Sequence, residues 1–145
     1  MSVATILDES DLNTPDTDDF DSKLIPGSPA TDAPVKINGK ESWFLKAIGT
    51  DFTGIYFAKE GADIPEGASE LAEDDIPVKT LVVSDMDVAG NGTLLDSKGL
   101  LKQRLDGQPG TYYLFRPDQH VVARWRDFDL KSVRDAVARA TMQTG

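Results

Sequence analysis

Residues 111–126, TYYLFRPDQHVVARWR, read as two apolar-rich strands joined by a tight turn at Pro117-Asp118-Gln119-His120. Aromatic and β-branched side chains favour a pleated surface, and the Pro-Asp pair favours chain reversal. Asp129 then stands where a helix needs its N-cap, with Phe128 and Val133 placed as a hydrophobic staple. Leu130, Val133, Val137 and Ala140 follow with the spacing of a helix that lies on a sheet. The chain therefore ends in a β-β-α unit. Alternation puts Arg124 and Arg126 on one face of the last strand, opposite Val121, Ala123 and Trp125, which predicts a strand with one wet face.

Upstream, Ser42 is placed to cap a short helix over 43–48, with Trp43, Phe44, Ala47 and Ile48 on one face and Gly49 as its terminator. Residues 52–57, FTGIYF, predict a buried strand. The acidic stretch 60–75 is broken by Gly61, Pro65 and Gly67, leaving a short helix over 68–73. A strand is expected over 80–83, then a loop over 85–93 and a helical or turn segment over 94–105. Strands that alternate with helices imply a partly parallel sheet, and the terminal hairpin adds antiparallel strands. The expected fold is α/β: a thioredoxin-like mixed β-sheet of about four or five strands flanked by helices, ending in a hairpin and helix. Pro109 falls near the position where thioredoxins carry a cis-proline.

Charge is unevenly distributed. Residues 1–22 hold seven of the 25 acidic residues and none of the 15 Lys and Arg, so they carry most of the net −10. With few large apolar side chains, this segment cannot offset its ordering entropy. It is expected to be a disordered acidic tail, with the domain over 23–145. The basic residues are not clustered, which argues against a nucleic-acid partner. No apolar run approaches the roughly 20 residues that cross a bilayer, so no membrane partner is expected. The N-terminus shows neither the basic nor the apolar part of a signal peptide, and the cytoplasm is the expected location. There is no cysteine. That excludes disulfides, thiolate metal ligands and thiol–disulfide chemistry, in which the thiolate is the nucleophile.

Residues 85–96, DMDVAGNGTLLD, resemble a twelve-residue calcium loop, with Asp85, Asp87 and Asp96 at positions 1, 3 and 12 and Gly90 at position 6. Ala89 and Gly92 depart from that pattern at positions 5 and 8, and a strand rather than a helix precedes it. An acidic loop between strand and helix is the competing reading. His120 is the single histidine and sits in the hairpin turn beside Asp118. No nucleophile or second imidazole accompanies it, so it reads as an exposed turn residue. The carboxylates over 70–75 read as a solvated acidic face. Gly54 and Gly90-Asn91-Gly92 fit neither the P-loop nor the dinucleotide pattern. No catalytic, cofactor-binding or metal-binding residue is therefore assigned. Arg116, Arg124 and Arg126 flank the hairpin and suit an anion site or a partner rim, with Trp125 and Tyr113 either interface anchors or core.

Three blocks carry a resemblance. Pro26-Gly-Ser-Pro-Ala-Thr-Asp32-Ala-Pro34-Val is similar to a PGxxAxDAP lead-in. Trp43-Phe-Leu-Lys-Ala-Ile-Gly49 with Phe52-Thr-Gly-Ile-Tyr-Phe57 is similar to WLLDLLG and FTLLVF. Tyr113-Leu-Phe-Arg116-Pro-Asp118-Gln-His-Val-Val-Ala-Arg124-Trp125 is similar to LVRPDxHVAxRW. In this order, over about residues 23–141, the chain resembles the C-terminal thioredoxin-like domain of FAD-dependent aromatic-ring hydroxylases. These are the class A flavoprotein monooxygenases, such as phenol hydroxylase and 3-(3-hydroxyphenyl)propionate hydroxylase.

The resemblance implies that FAD and the hydroxylation chemistry belong to domains upstream of this sequence, so no catalytic or FAD-binding residue carries over. It also implies a structural or dimer-contact role, with a flavoprotein monooxygenase subunit or a second copy as partner. The chain is expected to be an excised domain, a fragment, or a free-standing protein that docks onto a monooxygenase. Two other classes compete. A peroxidase-like enzyme would need a cysteine. A calcium- or small-ligand-binding protein would use residues 85–96.

Overall fold

The computed structural model describes residues 16, 18, 20, 25–37, 40–48, 51–59, 64–84 and 93–141. Its elements run β1 (Pro34–Ile37), β2 (Lys40–Trp43), α1 (Phe44–Ala47), β3 (Phe52–Phe57), α2 (Ala68–Leu71), β4 (Val78–Ser84), β5 (Thr93–Leu95), α3 (Leu100–Leu105), β6 (Tyr112–Phe115), β7 (Val121–Trp125) and α4 (Leu130–Ala140). Among the described residues the strands form one seven-stranded sheet in the order β2-β1-β5-β4-β3-β6-β7. β3, β4 and β5 are mutually parallel, and the pairings outside them are antiparallel. The hairpin strands β6 and β7 pair in this same sheet, as the sequence predicts.

Strand periodicity sorts the core onto two faces. Ile55, Phe57, Leu81, Val83, Tyr113 and Phe115 lie on the face covered by α1 and α3. Phe52, Tyr56, Val78, Val82, Tyr112 and Leu114 lie on the other, under α2 and α4. All six positions of β3 are buried, and it is paired on both sides, with β4 and β6.

Several expectations are corrected. The sheet has more strands than the sequence suggested. Ser42 lies in β2 and makes no cap; the helix is limited to Phe44–Ala47. Its start is held by Asp32, whose Oδ1 accepts from the N–H of Ala33 and of Leu45 at 2.9 and 3.0 Å. The segment expected as helix or turn over 94–105 begins in a strand, β5, before α3. No cis peptide occurs among the described residues, so Pro109 is trans.

The lead-in and the hairpin turn, far apart in sequence, are fastened together. Gly27 takes a left-handed φ of 97° and its N–H donates to Val121 O at 2.7 Å. The N–H of Ala30 donates to Gln119 O, and Pro29 bridges to His120. Gln119 Nε2 reaches Leu45 O at 2.8 Å, tying the turn to α1. These contacts give the first and third sequence blocks an architectural reason.

The final helix starts as expected. Ser132 donates to Asp129 Oδ2 through Oγ at 2.7 Å and through its N–H at 3.0 Å. Those hydrogen bonds hold the Asp129 carboxyl below its ordinary range. A carboxyl lowered by folding stabilises above its unfolded pKa, and that stabilisation is lost as pH falls through the folded value. Asp129→Ala is therefore expected to lower the melting temperature at neutral pH, by an amount that shrinks in acid. Circular dichroism melts at about pH 7 and about pH 3, below the unfolded carboxyl range, check this.

Candidate functional site

The carboxyl ends of parallel strands are the usual ligand position in an α/β sheet. Here β3 and β4 end beside a pocket of about 250 Å³, whose lining includes Lys59, Ser84, Asp96, Lys102 and Pro109. Asp96 is committed to α3: its two carboxylate oxygens accept from the N–H of Leu101 at 3.1 Å and of Lys102 at 2.8 Å. Gly107 packs directly on Phe57, where a Cβ would lie 2.3 Å from the ring. The lining supplies no thiol and no imidazole. Among the described residues no group of three His, Cys, Asp or Glu could hold a metal ion. Positions 85–92 of the calcium-like segment lie outside the described residues.

A second constellation lies on β7. Arg124 is buried, at 3% exposure. Its Nε meets Asp16 Oδ1 at 3.0 Å and its Nη2 meets Asp16 Oδ2 at 2.8 Å, a two-pronged carboxylate contact across 108 residues. Its Nη1 lies 3.3 Å from the hydroxyl of Tyr113, which in turn donates to Leu105 O at 2.6 Å. Burial alone would push the guanidinium down, but the hydrogen bonds to Asp16 and Tyr113 outweigh it and hold it above its ordinary value.

Arg126 completes the pair. Its N–H donates to Asp18 Oδ2 at 3.0 Å, and its guanidinium bonds Asp106 through both the carboxylate and, at 2.6 Å, the carbonyl. The Phe20 ring lies 4.4 Å from the Arg124 guanidinium and 3.9 Å from that of Arg126, and meets Tyr113 edge-on. Beside it opens a depression of about 690 Å³ lined by Asp18, Phe20, Asp106, Gln108 and Arg126, among others.

This corrects the wet-face reading. A bulge in the β6–β7 pairing sets Phe115 against Val121 but Leu114 against Ala123, so Val122 is the extra residue. Val121 joins the same core face as Tyr113, the partner of Arg124, while Val122, Ala123 and Trp125 join the other. The arginine face is closed by Asp16, Asp18 and Phe20, which the sequence placed in the tail. Acidic composition hid this contact. The lone Phe20 within a run of carboxylates was the signal that could have revealed it.

The other named residues do not converge. His120 is half-buried rather than exposed, and it faces Asp118. The acidic stretch serves as a tie between helices: Arg134 pairs with Asp74 at 3.0 Å and reaches Glu70 at 3.7 Å. Arg116 pairs with Asp118 in the turn. Tyr113 and Trp125 are buried in the core, at 0% and 7% exposure. No described helix is long and apolar enough to cross a membrane.

No protein-family description and no curated protein matches this sequence. Solved structures do. The chain is similar to the flavin-dependent monooxygenase PieE, solved with FAD and substrate, with a TM-score of 0.72 and 20% identity over 92% of this chain and 24% of that one. It is similar to aklavinone-11 hydroxylase, solved with FAD and aklavinone, at 0.69 and 20% over 90% of this chain and 25% of that one. A thiol peroxidase from Chromobacterium violaceum matches at 0.65 and 14% over 90% and 93% of the two chains. The chain thus spans about a quarter of the length of the two monooxygenases. What is shared at these identities is architecture: this is an α/β chain of thioredoxin-like fold, built without a cysteine.

Proposed function

We propose that this chain is a non-catalytic thioredoxin-like module belonging to, or accessory to, an FAD-dependent aromatic-compound monooxygenase, with a structural or subunit-interaction role. The observation that carries this reading is the match to two flavin-dependent monooxygenases over nine-tenths of the chain, where 24% and 25% of their length is covered. The rest of their length leaves room for a flavin domain elsewhere. The peroxidase-like neighbour does not favour an enzymatic reading, because peroxidatic chemistry needs a thiolate and this chain has none. In this reading FAD and the hydroxylation chemistry reside outside residues 1–145, and the module acts by contact, in the cytoplasm.

Antibody capture from host extract tests it. The captured material is expected to contain FAD and to hydroxylate an aromatic substrate, whether the flavin domain is a separate subunit or continues the same polypeptide. Captured material with no flavin overturns the proposal.

A further inference from the structure

Asp16, Asp18 and Phe20 fit β7 as a ligand fits a receptor. One carboxylate takes the two-pronged contact with a buried guanidinium, the second takes the backbone N–H of Arg126, and the ring lies against both guanidinium groups. Each element of that recognition is chemically distinct, and together they read the sequence pattern Asp-x-Asp-x-Phe. The stretch that carries Asp16, Asp18 and Phe20 lacks the apolar content to fold by itself, so the placement of these three residues rests on their contacts with β7. Exchange of such a segment between two chains conserves every contact it makes and confines the cost to the connection, which makes it a low-cost route to a dimer.

We propose that Arg124 and Arg126, with Tyr113 beneath them, form a receptor site for an acidic segment of the pattern Asp-x-Asp-x-Phe, filled by the chain's own Asp16, Asp18 and Phe20 and open to the same residues of a second copy. This deepens the interaction role proposed above, and its test contains no flavoprotein, so either reading can fail alone.

A fluorescently labelled peptide of residues 10–22 is titrated with the full chain and with the full chain carrying Asp16→Asn, Asp18→Asn and Phe20→Ala. A tethered segment competes at an effective concentration of roughly millimolar, so the wild-type chain should bind the peptide at least about tenfold more weakly than the triple variant. Phe20→Ala in the peptide should lose most of the binding, and added salt should weaken what remains. Equal binding by wild type and triple variant, or indifference to Phe20→Ala in the peptide, overturns the receptor site.

A second arm does not depend on the triple variant folding. Wild-type protein refolded at high concentration and analysed by sedimentation is expected to contain dimer, and the single variant Phe20→Ala much less. Monomer alone from wild type, or equal dimer from both, overturns the second copy as occupant.

Discussion

Gly54→Ala is expected to destabilise the protein by about 3 kcal/mol, near the top of the range for overpacking a core. Gly54 sits in β3 without a left-handed φ, so the constraint is space alone. A Cβ there would lie 1.7 Å from the Tyr112 hydroxyl oxygen and 2.3 Å from Cζ. Tyr112 cannot easily yield. It is fully buried, its ring packs 5.0 Å from Phe128 and 6.2 Å from Trp125, and its hydroxyl is 3.0 Å from Thr80 Oγ1. Burial pushes the phenol well above its ordinary pKa, so it stays neutral and hydrogen-bonded. Urea unfolding followed by tryptophan fluorescence measures the loss. Adding Tyr112→Leu should recover part of it, giving a coupling of about 1 kcal/mol or more between the two sites. A Gly54→Ala protein within about 0.5 kcal/mol of wild type would contradict the packing argument.

Arg124→Ala is expected to cost a similar amount, about 3 kcal/mol. Breaking a buried ion pair costs about 3–5 kcal/mol, and the lower end applies because the Asp16 side chain remains 28% exposed. Truncation also removes the guanidinium that lies 4.4 Å from the Phe20 ring and 3.3 Å from the Tyr113 hydroxyl. Arg124→Lys should recover less than half of the loss, since an ammonium cannot make the two-pronged contact. A second readout separates loss of the segment from loss of the body. Asp-N protease, which cuts before aspartate, should cleave the Arg124→Ala protein faster at residues 16–21 while the remainder keeps its circular dichroism. Unchanged cleavage with unchanged stability would mean that Arg124 does not hold the segment.

The two arginines also show where sequence reasoning succeeds and where it stops. Residues 52–57, 111–126 and 130–140 were legible because their apolar period is local and strong, and Asp129 announces its helix by chemistry that acts over three residues. β2 was not legible. Its sequence KESW is largely exposed at a sheet edge, so it has no apolar face to read. β5 is three residues long, too short for a period. The bulge at Val122 shifts the side chains after it by one position, a change that alternation cannot foresee. Arg124 and Arg126 were named as a pair, but their partners were not, because composition describes residues 1–22 as a solvated run and cannot see a guanidinium 108 residues away.

The same separation sets an order of events during synthesis. β3 and β4 are neighbours in sequence and in register, so this parallel pair can form early. Its antiparallel side waits for β6, and the face that holds Arg124 waits for β7. Asp16 therefore leaves the ribosome 108 residues ahead of the side chain it will bind. Contacts of such long sequence separation close slowly, since the entropy of the intervening loop must be overcome first. Its carboxylates keep the early segment hydrated in the meantime. Docking of Asp16 and Phe20 follows the emergence of β7, and protection of this segment from protease would report that β7 has joined the sheet.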